Sequence, residues 1–156
     1  MLDLLLLRHA DANTEAESDD ARRLSDKGEG QAKKVARFIK DHDLDPDLIL
    51  SSPVRRAHET AKIVAEHLDA ELRVVQWAAC GMTPETALEE LRAYTRYDRV
   101  ILVGHEPDFS HLAAALIGLT DAENLRIRKA SLTLLEVAAL APSSARLGWA
   151  IACRLM

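Results

Sequence analysis

Apolar positions along this 156-residue chain fall into short unbroken runs separated by longer stretches in which they recur every three or four residues. Leu2–Leu7, Leu48–Leu50, Leu72–Val75 and Val100–Val103 are rich in branched aliphatics and bounded by polar turns, the pattern of strands buried on both faces. Between them the spacing predicts helices. Ser25 opens the first, whose apolar face is Val35, Ala36, Phe38 and Ile39 amid Lys33, Lys34, Arg37 and Lys40, and which ends near His42. Ser52-Pro53 reads as an N-cap and first helical residue ahead of Ala57, Thr60, Ala61, Val64 and Leu68. Thr83-Pro84-Glu85 repeats that cap before Leu88 and Leu91, and Pro107 starts a helix through Leu112 and Leu116 that Gly118 can terminate. Ser131–Val137 and Arg146–Leu155 read as two further strands joined by a loop containing Pro142-Ser143-Ser144. Strands alternating with helices imply an α/β sandwich of three layers, with a mostly parallel sheet covered on both faces and ligands at the strands' carboxyl ends.

Length and composition narrow the picture. One domain spanning residues 1–156 is expected, with no repeat, low-complexity tract or linker. The formal charge of −5 leaves no long basic stripe, which argues against a nucleic-acid binder while permitting a local cationic pocket. Met1–Leu7 is too short for a membrane span, contains Asp3 and lacks a basic leader, so no membrane association is expected. Cys80 and Cys153 show no metal-ligand spacing and suggest reduced thiols in the cytoplasm. Neither has an Arg six positions on, as a cysteine-dependent phosphatase loop requires.

The chemistry gathers by position. Leu2–Leu7 delivers Arg8-His9, Leu48–Leu50 delivers the segment from Ser51 to Arg56, and Val100–Val103 delivers Gly104-His105-Glu106. If these strands are parallel neighbours, their cationic side chains converge on one sheet edge where helix N-termini also favour an anion, and phosphate is the natural guest. Arg55 and Arg56 point about 100° apart on a helix, so only one can face such a pocket squarely. His42, His58, His67 and His111 are assigned structural or surface roles, and no metal or other cofactor is expected.

Leu7-Arg8-His9-Ala10, Ser52-Pro53-x-x-Arg56-Ala57-x-x-Thr60-Ala61 and Val103-Gly104-His105-Glu106-Pro107 resemble the histidine phosphatase superfamily, and its short SixA-type phosphohistidine phosphatases above all. Asp19-x-x-Arg22-x-Leu24-Ser25-x-x-Gly28-x-x-Gln31-Ala32 extends the resemblance, so ordered motifs run from about Leu4 to Pro107. The resemblance implies a mixed sheet of about six strands, mostly parallel, as in phosphoglycerate mutase-like folds. It also implies that His9 accepts the phosphoryl group while Arg8, Arg56 and His105 bind its oxygens. Arg55 then either faces solvent or touches the substrate at the rim. Arg22 either lines the entrance or pairs with Asp19 or Asp20.

A neutral imidazole, with an ordinary pKa of about 6.5, is already a nucleophile at neutral pH and needs only to be oriented by a hydrogen bond at its other nitrogen. In-line attack on phosphorus then calls chiefly for positioning and fixed positive charge, which the planar guanidinium supplies. Phosphohistidine leaves as neutral imidazole, whereas an alkyl ester expels something closer to hydroxide, whose conjugate acid has a pKa of about 16. The segment Gln76–Met82, where larger relatives place an acid, has no carboxylate. Glu85 and Glu106 remain as candidate acids, although each can equally serve its helix start. A phosphohistidine protein is therefore the expected substrate and partner. A small-molecule phosphomonoesterase or mutase using Glu85 or Glu106 is the alternative, and a noncatalytic phosphate-binding module a third. Nothing demands a dimer, so a monomer is expected.

Overall fold

The computed structural model describes all 156 residues, and its strands follow the aliphatic runs. In chain order the main elements are β1 (Leu2–Arg8), α1 (Asp26–Asp41), β2 (Leu48–Ser51), α2 (Arg55–Leu68) and β3 (Leu72–Val74). They continue with α3 (Pro84–Leu91), β4 (Arg99–Gly104), α4 (Asp108–Ile117), β5 (Leu132–Val137) and β6 (Ala145–Ile151). The strands form one six-stranded sheet in the order β3-β2-β4-β1-β5-β6. The first four in that order run parallel, while β5 is antiparallel to β1 and β6 to β5. This is the mixed, mostly parallel three-layer architecture expected above.

The run of leucines in β1 is explained by what covers each face. Leu4 and Leu6 pack with Leu50, Leu102, Phe109, Leu112 and Leu91 against α3 and α4. Leu5 and Leu7 pack with Ile49, Ile101, Val35, Ile39 and Val64 against α1 and α2. Alternate side chains point to opposite faces, so a strand covered twice has no place for a polar residue between its ends. Arg8 and His9 come at its carboxyl end. Close helix packing fixes where the chain goes next: a Cβ on Gly28, in the first turn of α1, would collide with the Asp11 carbonyl oxygen.

Several boundaries differ from the sequence pattern, each for a tertiary reason. Helix α2 begins at Arg55 with extended Val54 as its cap, because the Ser52 hydroxyl holds the Val54 N–H and a histidine ring rather than the helix start. Strand β3 stops at Val74, opposite Ser51, the last residue of β2. Strand β6 stops at Ile151, opposite Leu132, the first residue of β5, and the chain finishes in a 3-10 turn over Cys153–Leu155. Ser25, Thr83 and Gly118 occupy the cap positions expected of them. No helix is long and apolar enough to cross a membrane.

Candidate active site

Because β2, β4 and β1 lie side by side and parallel, their carboxyl ends open onto one edge. His9, Arg56 and His105 are all buried there, at 6%, 6% and 3% exposure. The His9 and His105 ring centroids are 5.5 Å apart, and the Arg56 Nε donates toward His9 Nε2 at 3.3 Å. Arg8 joins them as a half-buried neighbour whose Nη1 donates to the Ile127 carbonyl oxygen at 3.0 Å. The first turn of α2, which carries Arg56, has no side-chain cap, so its positive end also faces this edge.

The His9 ring is oriented by its neighbour. Nδ1 lies 2.8 Å from the Ala10 carbonyl oxygen, which can only accept, so Nδ1 carries the proton and Nε2 the lone pair. The Ala10 N–H in turn donates to the Thr60 hydroxyl at 3.0 Å, tying this turn to α2. Burial, opposed in part by the Ala10 hydrogen bond and reinforced by Arg56, His105 and Arg8, pushes the His9 pKa down from 6.5 to about 3. The ring is therefore neutral across the physiological range.

His105 is held differently. Its Nε2 lies 2.7 Å from the Ser52 hydroxyl, which already accepts the Val54 N–H at 3.1 Å. Directing the hydroxyl hydrogen to Nε2 puts the ring proton on Nδ1, which is buried and has no partner. The buried Nε of Arg8 likewise lacks one. Two unpartnered donors beside a neutral imidazole are a cradle for an incoming anion. Burial, then the Arg56 charge, lowers the His105 pKa to about 4, so this ring too is neutral, and a protonated His105 requires a bound anion to favour it.

Other candidates sort themselves by contact. Arg55 is exposed and paired with Glu59 at 2.9 Å, as the motif assignment of Arg56 implies. Arg22 takes the pairing role: it donates to the Asn13 carbonyl oxygen at 2.8 Å and to Asp19 Oδ1 at 3.1 Å. Asp19, read from sequence only as that partner, also receives Arg56 through its backbone oxygen at 2.9 Å and its Oδ2 at 3.2 Å. Glu106 lies near enough to Arg8 to act on its charge, yet both its oxygens accept from Ser110, from N–H at 2.8 Å and O–H at 2.6 Å. Glu85 is exposed on α3 and borders a surface cavity lined by Leu88, Glu89, Arg92 and Leu140, apart from the cluster. None of Arg8, His9, Arg56 and His105 lines that cavity, so the expectation that Glu85 acts in the site has no contact to support it.

Sequence reasoning missed Ser52 as the orienter of His105, Asp19 as a holder of Arg56 and the Ile127 carbonyl as the anchor of Arg8. Only Ser52 had a signal, since it stands at a strand exit beside the other site residues.

Residues 4–79 match the model of the histidine phosphatase superfamily (branch 1). A phosphohistidine phosphatase SixA homolog of Haemophilus influenzae is 30% identical over 128 residues, covering 75% of this chain and 78% of that protein. A proposed SixA phosphohistidine phosphatase of Agrobacterium tumefaciens has a solved structure that is 29% identical with a TM-score of 0.82, and 97% of each chain is covered. The protein histidine phosphatase SixA, solved with tungstate, has the same fold at 21% identity and a TM-score of 0.89, covering 99% of this chain and 100% of that one.

Proposed function

This chain belongs to the histidine phosphatase superfamily and is a phosphatase, and from that premise we propose that it removes phosphate from phosphohistidine on a protein by way of a covalent phosphohistidine on His9. The observation that carries the reading is the His9 ring, with Nδ1 engaged at Ala10 and Nε2 turned toward Arg56 among the unpartnered donors.

The steps follow from these contacts. An incoming phosphoryl group draws the Arg56 Nε–H away from His9 Nε2, which frees the lone pair as the substrate arrives. Nε2 then attacks phosphorus, the substrate's P–N bond breaks, and its histidine leaves as a neutral imidazole whose ring had been protonated. Arg8 Nε–H, Arg56 and His105 Nδ1–H meet the charge on the equatorial oxygens. Water attacks the phosphorylated His9, the Nε2–P bond breaks, inorganic phosphate departs, and the water's proton passes to solvent.

Fold likeness alone does not choose the leaving group. The engagement of both Glu106 oxygens by Ser110 supports a substrate that needs no strong acid, because it ties the carboxylate to the first turn of α4 as a partner of the helix start. Acid-quench labelling tests the proposal. Wild-type enzyme mixed with a phosphohistidine protein should carry acid-labile, base-stable phosphate on His9 and should turn that substrate over faster than alkyl monoesters. Faster ester turnover that collapses in Glu106→Gln would replace this reading with the esterase alternative.

A further inference from the structure

A second cationic surface adjoins the pocket, outside the chemistry just described. Arg8 also borders an open cavity of about 540 Å3 whose rim carries Lys27 from the head of α1, Arg126 and Arg128 from the segment before β5, and Arg154 from the terminal turn. These four are exposed and none makes an ion pair or side-chain hydrogen bond within the chain. The only carboxylate lining the cavity, Asp11, is already occupied by the Ser25 hydroxyl at 2.6 Å and Lys129 at 3.1 Å. Unpaired cations are thus concentrated beside the active-site arginine of a chain whose net charge is −5.

We infer that this cleft is a docking surface for a carboxylate-rich face of a protein substrate, placed so that the partner's phosphorylated side chain enters the adjoining pocket to which Arg8 also belongs. The inference rests on the phosphoprotein reading above and extends it to the chemistry of the partner. A compact second phosphate would call for buried, converging donors, but the cations here are long, exposed and spread around an open cavity. An extended nucleic acid would run beyond the cleft onto the rest of a chain whose net charge is −5. A protein face with several scattered carboxylates matches the spread, and the repulsion elsewhere orients it toward this side.

The segment bearing Arg126 and Arg128 holds Arg8 through the Ile127 backbone oxygen, and the Ala130 N–H donates to the Arg8 and His9 carbonyl oxygens, so changing the two exposed side chains leaves that anchor in place. The test uses the full chain and the double variant Arg126→Glu/Arg128→Glu. Each is assayed with an aryl phosphate alone, with the aryl phosphate plus poly-L-glutamate, and with a phosphohistidine protein bearing an acidic surface. The variant should hydrolyse aryl phosphate within about twofold of wild type, while inhibition by polyglutamate weakens and kcat/KM for the phosphoprotein falls by roughly tenfold or more, both differences shrinking in high salt. Absence of polyglutamate inhibition in wild type, or equal inhibition of the two proteins, would overturn the docking surface. An equal loss on aryl phosphate would assign the arginines to positioning Arg8 instead, and equally strong inhibition by a single-stranded oligonucleotide of matched charge would reject the protein-face assignment. If wild type fails on phosphohistidine protein but polyglutamate still inhibits in a charge-dependent way, the substrate reading falls and the docking surface stands.

Discussion

Arg56 acts on Arg8 from within the site and Arg128 lines an open cavity with it, and the two carry the same charge, yet their surroundings assign them different work. Arg56 is buried at the head of α2, where its guanidinium is fixed by His9, by Asp19 and by the Cys80 sulphur. Arg128 stands in solvent with no partner. A buried guanidinium acts at full strength on a transition state and needs no reorganisation at the moment of reaction, whereas an exposed one is screened by water and salt and serves encounter more than chemistry. Arg8 belongs to both regions, half-buried, with one edge toward the pocket and one bordering the cleft.

The largest effect that would sharpen this contrast is loss of the nucleophile. His9→Ala should lower kcat by roughly 10^4-fold or more while the protein stays folded, since removing a covalent nucleophile leaves only binding and oxyanion stabilisation. Single-turnover kinetics would read it, and retention of a few per cent of activity would break the assignment. Next comes Arg56→Lys, expected to lower the chemical step by about a hundredfold or more, because one ammonium cannot span the Asp19 side and the phosphate side together. A near-normal rate would place Arg56 with the exposed arginines.

A pH experiment tests the burial of the two site histidines. With folded pKa values pushed down to about 3 for His9 and about 4 for His105, NMR titration should show both rings neutral at pH 5. The unfolded chain binds protons at these positions near pH 6.5 and the native chain does not, so stability is full above pH 6.5 and is lost as pH falls toward 4. Each of the two rings should remove about 2 kcal/mol between pH 7 and pH 5, measured as the part of that loss missing from a His9→Asn/His105→Asn variant. Equal pH dependence in the two proteins would contradict the burial argument.

Ser52→Ala should slow turnover by about tenfold, by freeing the His105 ring from the one hydroxyl that sets its proton. The smallest effect belongs to the neighbour of Arg56: Arg55→Ala should leave activity within about twofold, because it breaks only an exposed pair with Glu59. A larger loss on a small substrate would erase the line drawn between the two arginines.

Much of this arrangement was readable before any coordinates. The aliphatic run Leu2–Leu7 announces a strand covered on both faces, and a charged pair straight after it can only lie at the sheet edge. Helix caps at Ser25, Thr83 and Gly118 are local chemistry and were legible as such. Ser52 misled, because a serine before proline looks like a cap whether its hydroxyl serves the helix or a histidine 53 positions away.

Residue order by itself determined which side chains leave strands, which faces are apolar and which histidine follows an arginine, since these depend on periods of two and 3.6 residues and on neighbours in the chain. Tertiary structure alone decided that β2, β4 and β1 would be adjacent, that Asp19 would meet Arg56 and that the Ile127 carbonyl would hold Arg8 from 119 positions away. Those pairings, and the depressed imidazole pKa values that follow from burial among cations, arise from the crossing of distant segments, which no local pattern encodes.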